Sequence, residues 1–222
     1  MTHISASLLA ADYARLGDET QRAEKAGVDS FHFDMMDGHY VPNLALTPDH
    51  LRALRPYSHL PFHTHLELDN PDHLLSTFSS LGAEMIIVQR DTLTEPNRTF
   101  DKIHAQNIKV GLGLNPDGQL EDIACLFPNI DLLLLLGVYP GFGGQIMQPG
   151  MMEKINNARH LADASKRPLL IAVDGGVKPE NTAQLVEAGA DILIMGTALF
   201  QSADMAGTIK SIREAASLSQ RH

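Results

Sequence analysis

The sequence predicts an α/β fold consisting of one (β/α)8 barrel that spans residues 1–222. Short apolar runs alternate with longer amphipathic segments, which is typical of parallel strands joined by right-handed helical crossovers. Eight such units follow one another with no leftover segment. This favours closure of the sheet into a barrel over an open sheet. The length of 222 residues fits one large domain.

The predicted strands are short runs rich in Val, Ile, Leu and Phe. They lie at His3–Leu8, Ser30–Asp34, Leu60–Leu66, Glu84–Val88, Ile108–Leu114, Asp131–Leu136, Leu169–Val173 and Asp191–Met195. The predicted helices lie between them, at Tyr13–Ala26, Thr47–Arg55, Pro71–Leu81, Asn97–Gln106, Gln119–Leu126, Gly150–Ala164, Pro179–Ala188 and Asp204–Ala216. Gly27, Gly82 and Gly189 stand where a helix should end and a strand begin. These three joints suggest a repeated βα unit.

Composition and charge exclude several classes of function. The formal net charge of -10 and the scattered Lys and Arg argue against nucleic-acid binding, which needs clustered basic residues. No stretch approaches the roughly 18 apolar residues of a membrane span, and the N-terminus lacks the basic segment of a secretion signal. Cys125 is the single cysteine, so we expect no disulfide within the chain and a reducing, cytoplasmic location. On its predicted helix face, Cys125 should be a buried structural thiol.

Ionisable residues interrupt three of the predicted strands near their C-terminal ends, the face where barrels of this type place their active sites. His32 and Asp34 share one face of a strand, His65 follows on the next, and Asp174 ends a later one. A lone His or Asp at a strand end is usually a satisfied polar group. Four ionisable residues at one end of the barrel are harder to explain as purely structural polar groups, because isolated ionisable groups are costly to bury. Two imidazoles and two carboxylates suit a divalent cation such as Zn²⁺.

Glycine-rich turns follow three of the late strands. Because glycine lets backbone N–H groups approach an anion, and the loops after strands seven and eight often bind phosphate, we predict a phosphate site there. The alternative is an ordinary tight loop. The residues expected to contact phosphate are Gly175, Gly176, Gly196 and Thr197. The earlier turn is typical of a mobile lid with an aromatic tip and consists of Gly141, Phe142, Gly143 and Gly144.

Longer motifs resemble one known family. The run His32–Asn43 (HFDMMDGHYVPN) is similar to the signature of the ribulose-phosphate 3-epimerase family, and so are Pro140–Gln145 and Val173–Val177. Ser5–Asp12 resembles the opening strand of that family, and Leu114–Pro116 resembles a further landmark. The matches are collinear across almost the whole chain.

The resemblance implies a TIM-barrel isomerase that epimerises a small phosphorylated ketose at C3 by proton transfer. Ribulose 5-phosphate is the commonest substrate of the family, so we expect its conversion to xylulose 5-phosphate. Leu46–Pro48 and Gly196–Thr197 are more similar to the allulose 6-phosphate branch of the family. Another ketose phosphate therefore remains an alternative substrate. A further alternative is a non-catalytic sugar-phosphate-binding barrel. An aldolase of the Schiff-base type would need a Lys at a strand's C-terminal end, and neither Lys109 nor Lys178 stands there.

The resemblance also implies roles for individual residues. His32, Asp34, His65 and Asp174 match the family's ligands for one divalent metal ion, with Zn²⁺ expected and Fe²⁺, Mn²⁺ or Co²⁺ as alternatives. Asp34 and Asp174 match the acid/base pair that would flank an enediolate. Ser7 matches a substrate-contacting serine. We further expect Met36 to contact substrate and the chain to form a homo-oligomer.

Three positions depart from the family pattern. Glu67 stands where the family usually has Met, Gln89 where it has His, and Leu136 where it has Met. By strand parity Glu67 faces the same side as His65. It should therefore contact an extra substrate hydroxyl or the metal, since an idle buried carboxylate is costly. The alternative is a Glu67 that points away to the surface.

Overall fold

A computed structural model describes residues 2–165 and 167–219. Eight parallel strands in this part of the chain form a closed barrel in chain order. They are β1 His3–Ser7, β2 Ser30–Met36, β3 Phe62–Glu67, β4 Met85–Gln89, β5 Lys109–Leu114, β6 Leu132–Leu136, β7 Leu170–Asp174 and β8 Ile192–Met195. The barrel confirms the predicted fold class. The extent of the domain over residues 1–222 stays a prediction.

The helices follow the strands in sequence. They are α1 Leu16–Ala26, α2 Pro48–Leu54, α3 Leu75–Ser80, α4 Pro96–His104, α5 Met151–Asp163, α6 Thr182–Glu187, α7 Thr197–Phe200 and α8 Met205–Ser219. The short helix α7 directly after β8 was not predicted, since Gly196 and Thr197 had the composition of a turn. Within the described part of the chain, every helix falls short of the length and apolar content that a transmembrane span requires.

The connection between β5 and β6 corrects one predicted helix. The expected α-helix at Gln119–Leu126 is absent from the described structure, and a 3-10 helix runs over Ala124–Asn129 with Pro128 inside it. Proline has no N–H to donate, and its ring clashes with the carbonyl of the preceding turn, so an α-helix cannot continue through it. The helical spacing that made Cys125 an inward-facing residue therefore does not apply. Cys125 is exposed, and the prediction of a buried thiol was wrong.

The three glycine joints do form a repeated unit. Gly27, Gly82 and Gly189 have φ values of 99, 77 and 114°, a left-handed conformation that favours glycine. An acidic residue two positions later accepts a backbone N–H of the preceding strand at 2.8 Å in each unit: Asp29 from Ile4, Glu84 from Phe62 and Asp191 from Ile171. Each joint therefore ties a helix end to the neighbouring strand and fixes where the next strand enters the barrel.

The barrel interior has an apolar side and a polar side. One apolar cluster fills it from β4, β6, β7 and β8: Met85, Ile87, Leu132, Leu134, Leu136, Ala172, Ile192 and Ile194. Each fully buried Leu or Ile contributes roughly 1.5–3 kcal/mol, which offsets the cost of the polar side. On that side the strand register pairs Asp34 with His65 and Met36 with Glu67. The pairing brings the polar residues of β2 and β3 together at the carboxyl end of the barrel.

Candidate active site at the carboxyl end of the barrel

A cavity of about 470 Å³ opens at the carboxyl ends of the strands. Asp34 and Asp174 both line it. So does every residue predicted to contact substrate, namely Ser7, Met36, Glu67, Gly141, Phe142, Gly143, Gly144, Gly175, Gly176, Gly196 and Thr197. His32 and His65 do not line it and are fully buried. The structure thus brings the predicted site residues into one place.

Asp34 is held by three neighbours. Its Oδ1 lies 2.9 Å from His32 Nε2 and 3.1 Å from His65 Nδ1. Its Oδ2 accepts a hydrogen bond of 2.9 Å from the hydroxyl of Ser7. The carboxylate is almost fully buried and cannot rotate without breaking these contacts. Its position and orientation are therefore fixed.

The residues around Asp34 could hold a metal ion. The ligand atoms of His32, Asp34 and His65 lie within 4.8 Å of one another. Asp174 stands slightly apart, with its Oδ2 3.9 Å from His32 Nε2. That buried Nε2 has no hydrogen-bond partner among the described residues, although carboxylates lie on both sides of it. An unpartnered buried nitrogen is costly. A cation shared with the carboxylates would satisfy it.

The two aspartates have opposite pKa shifts. Burial would raise the pKa of Asp34, but His32 and His65 outweigh it and hold the pKa well below its usual range. Burial raises the pKa of Asp174 to about 7, with His32 opposing the shift and the charge of Asp34 adding to it. One carboxylate is therefore ionised near neutral pH while the other can carry a proton. The pair can accept a proton on one side of a ligand and donate one on the other.

Glycine backbone forms the other end of the cavity. Gly175 and Gly176 have φ values of 91 and 70°. A methyl group on Gly176 would lie 2.5 Å from the backbone nitrogen of Met147, so no larger residue fits. On the opposite wall, a methyl group on Gly143 or Gly144 would lie 4.0 Å from the Thr197 hydroxyl. The loops after β6, β7 and β8 therefore converge around one small volume, as the sequence predicted.

Comparison with known proteins identifies the family. A sequence model described as the ribulose-phosphate 3 epimerase family matches residues 3–200. The chain belongs to this family. It is 39% identical to ribulose-phosphate 3-epimerase of Bacillus subtilis over 214 residues, which cover 96% of this chain and 99% of that protein. It is 38% identical to ribulose-phosphate 3-epimerase of Escherichia coli over 211 residues, which cover 95% and 94%.

Solved structures agree with the fold. KGPDC from Streptococcus mutans superposes with a TM-score of 0.72 at 12% identity and 98% coverage of both chains. 3-Hexulose-6-phosphate synthase from Salmonella typhimurium superposes with a TM-score of 0.69 at 16% identity, covering 99% of this chain and all of the other. At such low sequence identity, these structural similarities are evidence for the barrel fold alone.

Glu67, the first departure from the epimerase family pattern, faces the cavity. It is only 3% exposed, its Oε1 lies 3.4 Å from His65 Nδ1, and its Oε2 has no hydrogen-bond partner among the described residues. Burial and the negative charges of Asp34 and Asp174 raise the pKa of Glu67 well above its ordinary value. The inward orientation predicted from strand parity is confirmed, and the surface alternative was wrong.

The other two residues that depart from the family pattern, Leu136 and Gln89, differ in whether they reach the cavity. Leu136 lines the cavity. Gln89 does not line the cavity and is buried at the end of β4. Its side chain donates from Nε2 to the Asn115 carboxamide at 3.3 Å. Gln89 therefore acts on the site through its neighbours rather than by contact with a ligand.

Lys178 is a cavity residue that sequence reasoning passed over. Its position does not suit a Schiff-base lysine, yet it is the single Lys or Arg among the described residues that line the cavity. It follows Gly175–Val177 in the loop after β7. That position beside the predicted phosphate turn was a signal for a phosphate-contacting charge.

The predicted lid is an ordered loop in the structure. Its Gly141 carbonyl accepts a hydrogen bond of 2.6 Å from Asn43, in the loop after β2. The side chain of Gln145 donates to the carbonyls of Tyr139 and Phe142 at 2.9 and 2.8 Å. Phe142 at the tip is 54% exposed. The mobility of this loop stays a prediction.

Proposed function

We propose that the protein is a ketose-phosphate 3-epimerase that interconverts D-ribulose 5-phosphate and D-xylulose 5-phosphate. The observation that carries the proposal is the pair of cavity-lining carboxylates, Asp34 and Asp174, with pKa values shifted in opposite directions. Inversion of a carbon beside a carbonyl needs one group that removes a proton and a second that returns one on the opposite face. The names of the relatives from Bacillus subtilis and Escherichia coli support the choice of substrate.

The proton transfers follow from these two side chains. One aspartate takes the proton from C3, and the electron pair of the broken C–H bond passes into an enediolate. The other aspartate donates its proton to C3 from the opposite face, so the configuration inverts. Asp34 and Asp174 project from β2 and β7, on different parts of the barrel wall. In the reverse direction the two exchange roles.

We infer that His32, Asp34, His65 and Asp174 hold one divalent cation. The unpartnered Nε2 of His32 and the two carboxylates beside it support this assignment. When bound, the cation supplies positive charge next to the oxygens on which the negative charge of the enediolate develops. Two imidazoles and two carboxylates suit Zn²⁺, with Fe²⁺, Mn²⁺ and Co²⁺ as the alternatives.

The remaining cavity residues bind and enclose the substrate in this proposal. The backbone of Gly175, Gly176, Gly196 and Thr197 holds the phosphate, and the nearby charge of Lys178 supports an anion there. Ser7 and Met36 contact the sugar chain. The loop of Gly141, Phe142, Gly143 and Gly144 closes over the substrate and excludes water. The expected homo-oligomer stays a prediction.

A panel of ketose phosphates in deuterated water tests the function. The protein should convert ribulose 5-phosphate to xylulose 5-phosphate with one deuterium incorporated at C3, measured by NMR. Unphosphorylated ribulose should react far more slowly, because the glycine turns then bind nothing. Binding of ribulose 5-phosphate without deuterium uptake would contradict catalysis and favour a sugar-phosphate-binding barrel.

The unpartnered oxygen of Glu67 favours a second candidate substrate, a ketose phosphate such as allulose 6-phosphate with a further hydroxyl in this region. We expect Glu67→Met to shift the ratio of kcat/KM toward ribulose 5-phosphate by roughly 1–3 kcal/mol, the cost of leaving one partner of a buried hydrogen bond unpaired. Both substrates are measured on both proteins, with Glu187→Met as the control, since Glu187 is exposed on α6. An unchanged ratio would mean that Glu67 does not select the substrate.

A further inference from the structure

A row of polar side chains leads from the surface of the barrel mouth to His65. The exposed carboxylate of Asp91 accepts hydrogen bonds from Asn115 Nδ2 and, at 3.2 Å, from the Tyr40 hydroxyl. Asn115 Oδ1 in turn accepts a hydrogen bond of 3.3 Å from Gln89 Nε2. No role is assigned to these residues in the proton transfers above.

The Asp91 carboxylate sets the direction of every hydrogen bond in this row. An ionised carboxylate only accepts hydrogen bonds, so the NH₂ group of Asn115 must face it. Asn115 Oδ1 then faces Gln89, and the NH₂ group of Gln89 must face Asn115. Flipping either amide would place two acceptors or two donors against each other. Gln89 Oε1 is therefore the end of Gln89 that points away from Asn115.

Gln89 Oε1 and His65 Nε2 lie beside the same point of β5. A methyl group on Gly113 would be 2.0 Å from Gln89 Oε1 and 3.4 Å from His65 Nε2. Both atoms are buried, and neither has a hydrogen-bond partner among the described residues. The carbonyl oxygen of Gln89 can accept only, so His65 Nε2 must carry a proton for the two to interact. Gly113 leaves the space that the Gln89 side chain needs.

The other nitrogen of His65 faces two carboxylates. Its Nδ1 lies 3.1 Å from Asp34 Oδ1 and 3.4 Å from Glu67 Oε1. Without a cation, Nδ1 can donate a hydrogen bond to the Asp34 carboxylate, because the two atoms are within hydrogen-bond distance. A neutral ring with its proton on Nε2 has a bare lone pair on Nδ1. Two carboxylates around a bare lone pair repel it unless a cation lies between them.

We propose that Gln89 is a positioning residue that holds His65 in the Nε2–H tautomer, so that Nδ1 faces Asp34 as a metal ligand. Asn115 and Asp91 keep Gln89 in the required orientation. Partners of this kind fix the ring orientation of a ligating histidine and strengthen its bond to the metal. The inference rests on the proposed function only in taking His65 as a metal ligand. The tautomer itself can be measured without substrate and without turnover.

NMR of the ¹⁵N-histidine-labelled full chain, without and with Zn²⁺, reads the tautomer directly. We expect the proton of the native His65 to lie on Nδ1 without Zn²⁺, where Asp34 accepts it, and on Nε2 with Zn²⁺, where Gln89 accepts it. In Gln89→Leu the Zn²⁺-bound chain should lose the chemical shift that this hydrogen bond gives the Nε2 proton. Zn²⁺ affinity, measured by competition with a chromophoric chelator, should fall about 10–100-fold. If the native chain binds no Zn²⁺, the metal assignment fails; if it binds Zn²⁺ and Gln89→Leu binds Zn²⁺ equally well, only the role of Gln89 fails.

Gly113→Ala provides a second variant that leaves Gln89 in the chain. The added methyl group should displace the Gln89 carboxamide and reproduce both effects, and it decides the matter should Gln89→Leu not fold. Thr64→Val is the matched control: Thr64 is buried on β3 beside His65, and its hydroxyl has no partner among the described residues. It should change neither readout. Unchanged Zn²⁺ affinity in both variants would overturn the proposal, and so would a Zn²⁺-bound native His65 whose Nε2 carries no proton.

Discussion

Asp34→Asn and Asp174→Asn are each expected to lower kcat for epimerisation by roughly 10²–10⁴-fold, the usual contribution of one positioned acid or base. An amide has nearly the shape of a carboxyl group but neither accepts a proton from carbon nor returns one. Turnover of ribulose 5-phosphate by purified variants measures the loss. Asp101→Asn on the exposed face of α4 is the control and should keep native turnover.

Isotope exchange separates the two roles. With one aspartate removed, the other can still take the C3 proton from its own face and return a solvent deuteron to the same face. Asp34→Asn should therefore exchange the C3 hydrogen of one epimer without inverting it, and Asp174→Asn should exchange only the other epimer. A variant that lost activity only because it lost metal would exchange neither epimer. Elemental analysis of each variant accompanies the measurement, because both aspartates are also assigned as ligands.

Near-native epimerisation by either variant would contradict the two-base assignment. Exchange of the same epimer by both variants would also contradict it, because the two side chains would then act from one face. The site would in that case use a single base, and the proton acceptor on the other face would have to be sought among cavity residues such as Glu67.

The barrel and most of the site could be predicted from the sequence because their signals are local. The alternation of apolar runs with amphipathic segments located the strands. Polar residues within these runs, such as His32 and Asp34, indicated the face of the strand that points into the barrel at its carboxyl end. Strand parity alone placed Glu67 on the same face as His65, and His65 Nδ1 lies 3.4 Å from Glu67 Oε1. Glycine pairs such as Gly175–Gly176 signalled backbone that approaches a ligand closely.

The features that were missed depend on contacts between distant segments or on a single residue that overrides a pattern. A 3-10 helix that contains Pro128 stands where the apolar spacing predicted the end of an α-helix, and Cys125 is exposed on it. The orientation of Gln89 is set by Asn115, on the connection after β5, and by space at Gly113. No local pattern encodes such a combination, so Gln89 looked only like a departure from the family.

Removal of the divalent cation is expected to abolish epimerisation and to lower Tm by about 5–10 °C. A ligand present at 100 times its Kd stabilises the folded state by about 2.7 kcal/mol, and each kcal/mol changes Tm by roughly 2–4 °C in a domain of this size. The physical reason lies in the buried cluster. Without the cation, Asp34, Asp174 and Glu67 share a small volume with only two imidazoles to balance them.

Thermal unfolding of chelator-treated protein measures the effect, before and after addition of Zn²⁺, Fe²⁺, Mn²⁺ or Co²⁺ singly. The ion that raises Tm at the lowest free concentration binds tightest, and it should also restore turnover. His65→Ala should lose most of the cation-dependent rise in Tm, whereas His59→Ala should keep it, because His59 is exposed in the connection before β3. Metal-free protein with full activity and an unchanged Tm would show that these residues bind no functional cation. The charge of the enediolate would then have to be balanced by other groups that line the cavity, such as the hydroxyl of Ser7 and the charge of Lys178.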